Sequence, residues 1–360
     1  MAAGPILVLN AGSSSLKFGT YDRQSLRKLA SGQVSQIGGV STLQVDGRSR
    51  AINAENHRIA LDAILAEMTA VSEPVSAVGH RVVHGGSLRQ PALITPDCYK
   101  TILAAAPMAP LHNPPALDVV DAITATHPNL VQIACFDTAF HADNPAEATT
   151  FAIPETLRSK GLRRYGFHGL SYASLVRRFT EITGQPRPNR LLAFHLGAGA
   201  SIAAILNGKG VASTMGFSPL DGLTMASRAG SLDPGLLLYL LQHEGMKAAE
   251  IDHMLNYQSG LTALGGSPDM KSLLDSDEPD AKFAVSHFIY WAARHAGSMI
   301  AAMQGVDGIV FTGGIGEKAD SIRSRIFDRL RWTQLDPDQQ VWVIPADEEG
   351  EIVQMVKGFL

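Results

Sequence analysis

The sequence predicts an α/β protein made of two related halves facing one another across a central cleft. Strand-like and helix-like stretches alternate from end to end, and a unit of strand, small-residue bend and strand occurs twice, about half a chain length apart. At 360 residues the chain is also too long for one small core, so two domains are the natural expectation. A hydrophobic content of 45% with only 18% charged residues describes a folded globular protein, well away from disorder.

The first element is the apolar run ILVL (6–9), which leads into Asn10-Ala11-Gly12-Ser13-Ser14-Ser15 and out through LKFGTY (16–21). A hairpin needs only two turn residues. A loop with several hydroxyls, backbone N–H groups and Lys17 suits a bound phosphate, although an ordinary polar turn has the same composition. VSAVGHRVVHGG (75–86) reads as a strand ending in a Gly turn, and LVQIACFD (130–137) as a strand ending at an acid. RLLAFHLGAGASIAAILNG (190–208) reads as two strands around a Gly-rich bend. Residues 285–304 are apolar at helical spacing and precede the buried-type strand GIVFTG (308–313); IRSRIFDRLRW (322–332) has a helical period. Within this order, His195-Leu196-Gly197 followed by Gly199 and Ser201 repeats the pattern of Asn10-Ala11-Gly12 followed by Ser15. That repeat points to duplication. The expected boundary is the stretch HADNPAEATTFAIP (141–154).

Several function classes are set aside. A net charge of -4 gives no electrostatic reason to expect nucleic acid. Cys98 and Cys135 form no CxxC pair, the start MAAGPILVLN lacks a basic leader, and no run approaches the ~20 apolar residues of a membrane span. A cytoplasmic protein without membrane partners is therefore expected. There is no GxxxxGK[ST] loop, and Gly169-Leu170-Ser171-Tyr172-Ala173 lacks the second Gly of a nucleophile elbow. His80 and His84, four apart on a strand with no acid nearby, read as structural rather than zinc ligands. Gly314-Ile315-Gly316-Glu317-Lys318-Ala319 matches GxGxxA between a strand and a helix, but too few residues follow to complete a dinucleotide domain. It reads as a nucleotide-contacting turn, with a nicotinamide oxidoreductase as the rival.

Arg81, Asp137, His168 and Arg228 all stand on or just after predicted strands. Taken singly, each serves equally well as a structural ion-pair partner. Together they supply two cations, an imidazole and a carboxylate, and with the phosphate-like first loop they suggest phosphoryl transfer to an anion. A phosphate and a carboxylate acceptor repel by ~4 kcal/mol for unit charges 4 Å apart at an effective dielectric near 20. Such a reaction asks the protein for alignment and charge neutralisation. Arg suits that task, being always charged and able to bind oxyanions bidentately.

The motifs VLNAGSSSLKF, GHRVVHGG, PLHNPPAL, CFDTAFH, RRYGFHGLSY, FHLGAGAS, TMGFSPLDGLTM, VFTGGIGE and IPADEE stand in that order along the chain. In this series the sequence resembles the acetate/propionate kinase family, part of the superfamily of acetate and sugar kinases, heat-shock chaperones and actin. The resemblance implies two duplicated ribonuclease-H-like (actin-like ATPase) domains, residues 1–150 with the C-terminal segment 346–360 and residues 151–345, and a homodimer. It implies reversible transfer of the ATP γ-phosphate to acetate, with Mg²⁺, or Mn²⁺ in its place, held by Asn10 and Glu348. Ser13, Ser15 and Lys17 would line the phosphate path, and His195, Gly197 and Gly199 would approach the ATP phosphates. Asp269, Lys271, Gly314, Ile315 and Gly316 would lie around the adenosine. Arg81 would hold the substrate carboxylate, and Arg228 and His168 would stabilise the phosphoryl group in flight. Asp137 would be the catalytic acid/base or an orienting carboxylate for Arg81 or the metal. Val83, Leu111, Phe167 and Pro219 would form the pocket for the acyl methyl.

The sequence departs from the family pattern at several positions. Ala198 stands where the family has Asn, Lys271 where it has Arg, Lys318 where it has Asn and Ala212 where it has Asp. Ala226, Ser227, Ala229 and Ser231 replace Gly, Thr, Ser and Asp around Arg228. The chain is also shorter than is usual for the family, with losses in 36–55 and between Leu335 and Val341. The charged set is intact, so these changes bear on nucleotide affinity and substrate breadth rather than on reaction type. Two other readings stand beside acetate kinase: a propionate or butyrate kinase, and a noncatalytic nucleotide-binding relative.

Overall fold

The computed structural model describes residues 4–69 and 74–360; Met1–Ala3, part of the start inspected for a leader, lie outside the described residues. Two compact units are present, one of residues 1–139, 169–174 and 347–360, the other of residues 140–168 and 175–346.

In the first unit β1 (Ile6–Gly12), β2 (Ser15–Tyr21), β3 (Lys28–Ser35), β4 (Thr42–Val45) and β5 (Arg48–Ala51) run as an antiparallel meander. α1 (His57–Thr69) leads to β6 (Ala77–Val82); β7 (Ala92–Leu93), α2 (Pro96–Ala105) and α3 (Asn113–Thr126) lead to β8 (Val131–Phe136). The sheet order is β5-β4-β3-β2-β1-β6-β8-β7, with β1, β6 and β8 parallel. β1 is apolar at every position from Ile6 to Leu9 because both of its faces are covered, as parallel strands require. Leu7 and Leu9 pack with Leu16 and Phe18 against Leu61 and Ile64 of α1 and Val119 and Ile123 of α3.

In the second unit α4 (Ala146–Thr149), α5 (Glu155–Arg158) and α6 (Gly169–Thr183, its first turns belonging to the first unit) precede the sheet. β9 (Arg190–Leu196), β10 (Ala200–Leu206) and β11 (Lys209–Ser213) form a meander. A helical stretch follows, made of α7 (Pro234–Gln242), α8 (Ala248–Tyr257), α9 (Gly260–Gly265), α10 (Met270–Leu274) and α11 (Pro279–Met303). Then come β12 (Gly308–Thr312), α12 (Gly313–Lys318), α13 (Asp320–Asp328), α14 (Pro337–Gln340) and β13 (Val341–Val343). The order β11-β10-β9-β12-β13, with β9, β12 and β13 parallel, reproduces β3-β2-β1-β6-β8 strand for strand. The duplication expected from the two bends is thus present in the topology.

The last helix, α15 (Glu348–Lys357), belongs to the first unit and covers the other face of its sheet, where Ile352, Val353 and Val356 pack on Ile6, Val8 and Ile133. Gly79 of β6 permits this approach: a Cβ there would stand 2.5 Å from Ile352 and 2.7 Å from Val356.

The local structure differs from the sequence expectation in three places. The first bend is a tight hairpin in which only Ser13 and Ser14 form the turn, because Gly12 already pairs with Ser15 and Asn10 with Lys17 across the strands. The helix expected over 322–332 ends at Asp328 and continues as a 3₁₀ turn, with Arg331 folded back onto Asp328. The basic series Arg158, Lys160, Arg163 and Arg164, which reads from the sequence as a solvated face, is only partly one, since Arg164 lies over the Phe151 ring and donates to the Thr150 carbonyl.

Four histidines are buried among the described residues: His57, His80, His84 and His141. His80 Nε2 bonds Gln132 Oε1 at 2.8 Å, His84 Nδ1 accepts from the Gly86 N–H, and His141 Nε2 donates to the Phe167 carbonyl. Burial pushes His80, His84 and His141 down from 6.5 to about 4. The unfolded chain therefore takes up protons that the folded chain does not. Stability is complete above pH 6.5 and is lost as pH falls from there toward 4. The thermal midpoint should drop across this window, and calorimetry on His80→Asn should give a shallower slope, each unit of suppression amounting to about 1.4 kcal/mol. An unchanged slope would remove His80 from the account.

Candidate active site

Strand periodicity assembles the polar residues of the first unit. Side chains alternate across a sheet, so Ile6, Val8 and Asn10 of β1, and Lys17, Gly19 and Tyr21 of β2, lie on the α15 face. Leu9 pairs with His80 on the opposite face, so Arg81 at the next position of β6 faces α15; Ile133 and Cys135 of β8 lead on to Asp137. The candidate residues thus stand at the carboxyl ends of parallel strands, where open α/β sheets bind ligands.

Arg81 is the centre of this set. Its Nε and one terminal nitrogen form a fork onto both Asp137 oxygens, at 3.2 and 2.7 Å, and its other terminal nitrogen meets Glu348 Oε2 at 2.8 Å. The Arg81, Asp137 and Glu348 side chains are 16%, 2% and 18% exposed, so the cluster is largely withdrawn from water. Burial pulls the guanidinium down, but the Asp137 and Glu348 carboxylates outweigh it and hold Arg81 above its ordinary value. Asp137 is further fixed through its backbone: its N–H donates to the Val82 carbonyl and its carbonyl accepts from the Gly169 N–H. Glu348 arrives on the first turn of α15, whose N-cap Asp347 accepts from the Gly350 N–H at 3.0 Å. Lys17 and Ser13 are exposed, while Asn10 and Ser15 are half-buried. His57 Nε2 donates to the Gly12 carbonyl at 2.7 Å and anchors the hairpin end.

A second set forms in the other unit. His168 has a left-handed backbone, with φ of 55° just before α6, a conformation uncommon for non-glycine residues. Its Nδ1 bonds Ser201 Oγ at 2.8 Å, and its ring stacks on His195 with centroids 4.1 Å apart. Ser201 and His195 are directly paired across β10 and β9, and Thr312 of β12 pairs with His195 on its other side. Arg228 donates to the Pro219 carbonyl at 2.8 Å, and burial lowers its guanidinium from the ordinary value. His168 and Arg228 converge over Gly199, where a Cβ would stand 3.2 Å from His168 Nε2 and 3.3 Å from the Arg228 guanidinium. Gly197 in turn faces the Gly314 N–H region, 3.8 Å from its Cβ position.

The predicted residues are therefore gathered unevenly. Arg81, Asp137 and Glu348 are in contact, as are His168 and His195. Gly314, Ile315 and Gly316 form the first turn of α12. Asp269 is the N-cap of α10, accepting from the Ser272 N–H, and Lys271 pairs with Asp275, so both are engaged within α10 itself. Val83 and Leu111 are half-buried in the first unit; Phe167 is buried and Pro219 half-buried in the second. Ala198 anchors the Arg228 segment through its backbone, its carbonyl accepting from the Ala226 N–H at 3.1 Å, a contact indifferent to the side chain. Sequence reasoning did not single out Ser201 as the holder of His168. The signal was its place in FHLGAGAS, opposite His195 when the bend is Gly197-Ala198-Gly199.

The chain matches the acetokinase family over residues 5–356. The chain belongs to this family. Among similar proteins, an acetate kinase of Rhodopseudomonas palustris is 42% identical over 98% of this chain and 97% of its own length, and one of Rickettsia typhi is 36% identical over 99% of each. Of solved structures, an acetate kinase of Porphyromonas gingivalis superposes with a TM-score of 0.88 at 34% identity, covering 98% of both chains. A propionate kinase of Francisella tularensis gives 0.90 at 33% identity and the same coverage. The two sheets are accordingly those of the actin-like ATPase fold.

Replacing Arg81 with Leu strips Asp137 of its fork and Glu348 of its partner in a site nearly free of water. A loss of about 3–5 kcal/mol is expected from urea unfolding of Arg81→Leu. A loss below 1 kcal/mol would mean that the cluster contributes nothing to the fold.

Proposed function

We propose that this chain is an acetate kinase, transferring the γ-phosphoryl group of ATP directly to acetate. The bond from phosphorus to the β–γ bridging oxygen breaks, a bond to a carboxylate oxygen forms, and ADP leaves. The observation that carries this reading is the Arg81–Asp137–Glu348 cluster at the strand ends of a chain in this family. Arg81 binds the acetate carboxylate through the terminal N–H groups that Asp137 and Glu348 leave over, and offsets the repulsion between acceptor and phosphate. Asp137 aims the guanidinium and needs to take no proton, because acetate has none to give. In the second unit Arg228 and His168 neutralise charge on the phosphoryl oxygens; Ser201 fixes the imidazole orientation through Nδ1. Ser13, Ser15, Lys17, His195, Gly197 and Gly199 take the phosphate chain, while Asp269, Lys271 and Gly314–Gly316 take the adenosine. Val83, Leu111, Phe167 and Pro219 contact the acyl group.

The donor chemistry fits Mg²⁺, or Mn²⁺ in its place. Asn10 and Glu348 offer hard oxygens on the same face of one sheet, and among the described residues there is no cluster of three or more His, Cys, Asp or Glu to form a protein cage. An ion held by one carboxylate and completed by water and phosphate oxygens matches that supply. When bound, the ion would screen the phosphate charges.

A second copy of the chain belongs to this reading. α7 reads PGLLLYLLQ and buries none of its residues, leaving Leu236, Leu238, Tyr239 and Leu241 between 43% and 53% exposed. A helix apolar all round is normally covered. No helix among the described residues is long and apolar enough to cross a membrane, so another protein surface is the natural cover. A cytoplasmic setting agrees with two buried cysteines that form no disulfide.

Trapping acyl phosphate with hydroxylamine, in the presence of Mg-ATP and acetate, propionate or butyrate, tests the activity. Acetyl hydroxamate is expected as the main product; a propionyl preference would instead favour the reading suggested by the Francisella tularensis relative. The margin is small, because one methylene is worth only about 1–3 kcal/mol in a pocket. Arg228→Ala should lower turnover on the order of 100-fold or more with the fold intact by circular dichroism; near-normal turnover removes it from the mechanism. For assembly, light scattering on Leu238→Asp should give a monomer where the native chain gives a dimer. A native chain that is itself monomeric would dispose of the second copy.

A further inference from the structure

The residue after Glu348 has its own fixed place. Glu349 Oε2 accepts from the Tyr21 hydroxyl at 2.8 Å and from Lys28 Nζ at 2.9 Å. Tyr21 ends β2 and Lys28 begins β3, and the two are cross-strand partners at a register shift after Thr20. The Tyr21 ring is buried among Ile6, Val8 and residues of α15, so its hydroxyl is delivered to one point. Gly19, two residues earlier on the same face, leaves the space: a Cβ there would stand 2.8 Å from the Tyr21 ring and 2.9 Å from Glu349 Oε2. Three successive acids at the start of α15 thus have three different anchors, Asp347 on its own helix, Glu348 on Arg81 and Glu349 at the β2–β3 connection.

We propose that Tyr21 and Lys28 are positioning residues for the phosphoryl transfer: by holding Glu349 they fix the first turn of α15, so that Glu348 is presented to Arg81 and to the metal. The inference rests on the acetate kinase reading for its catalytic half. Neither residue touches the reacting groups; each acts through Glu349 and the helix that carries it. Tyr21 carries most of the effect, since its bond is buried at one end, whereas Lys28 is 46% exposed and its ion pair is screened by water. The site tolerates little error, because outer-shell partners of metal-ligating carboxylates typically affect metal affinity or activity by 10-fold or more.

The test uses the full chain and the variants Tyr21→Phe, Lys28→Met and Gly19→Ala. Tyr21→Phe keeps the ring in the core and removes only the hydroxyl. Gly19→Ala removes no polar group but should push Tyr21 and Glu349 apart. Two measurements are made: the Mg²⁺ concentration for half-maximal hydroxamate formation, and hydrogen exchange of the peptide covering 345–356 by mass spectrometry. Tyr21→Phe and Gly19→Ala should raise the Mg²⁺ requirement roughly tenfold and speed exchange in the first turn of α15, with the rest of the unit unchanged. Lys28→Met should do both to a smaller extent. An active chain whose variants keep the native Mg²⁺ requirement, or keep native exchange in 345–356, overturns the inference. A native chain that forms no hydroxamate overturns the functional reading and with it the catalytic half of this one. Exchange then decides independently whether the clamp on α15 exists, and unchanged exchange removes that as well.

Discussion

One guanidinium organises the first unit. Arg81 lies on a strand, donates a two-point fork to the carboxylate at the end of the neighbouring strand, and pairs with a third oxygen on the first turn of the last helix. Planarity makes this arrangement stiff: three nitrogens in one plane dictate where Asp137 and Glu348 must stand. Because the cluster is largely shielded from water, neither carboxylate can leave without stranding a charge. The C-terminal helix is consequently tied to the carboxyl ends of β6 and β8 as well as packed on the sheet through Ile352, Val353 and Val356. The proposed acceptor site and the stability of the unit therefore rest on the same contacts.

The second unit solves a different problem with the same topology. Its two hairpin strands bring Ser201 against His195, and the imidazole of His168 is held between a hydroxyl bond and a stacked ring. Glycine at 199 lets His168 and Arg228 approach the bend together. Where the first unit ends its strands in carboxylates and a guanidinium, the second offers imidazoles, a guanidinium and bare backbone. In the proposed reaction the first would serve a carboxylate and a metal, the second phosphate oxygens. Duplication supplied the frame, and substitution at strand ends made the two copies chemically unlike.

The departures from the family pattern look milder in three dimensions than along the chain. Ala198 lacks a polar side chain, yet its carbonyl still holds the Ala226 N–H and so the segment that carries Arg228. Lys271 is exposed and occupied by Asp275 one helical turn away, as expected of a surface pair on a short helix. The charged residues of the proposed site are untouched by either change.

Much of this was written locally. The two strand–bend–strand units, the buried strand at 308–312 and the long helix α11 follow from apolar spacing that any neighbouring residues would read in the same way. The repeat of small residues after Asn10 and His195 was enough to announce two copies of one unit. Sequence alone also named Arg81, Asp137, His168 and Arg228, because polar residues at the ends of apolar strands are costly unless used. It could not say who meets whom. Tyr21 and Glu349 are 328 positions apart, and their bond exists only because α15 returns to the sheet that opens the chain. That Ser15 and Lys17 lie on a paired strand rather than in the loop was decided by the cross-strand hydrogen bonds that close the hairpin at Ser13–Ser14. Patterning is a property of neighbours in the chain, so sequence determined the elements and the candidate chemistry. Register, and the distances between charges, depend on elements far apart in the chain, and only the packed structure decided them.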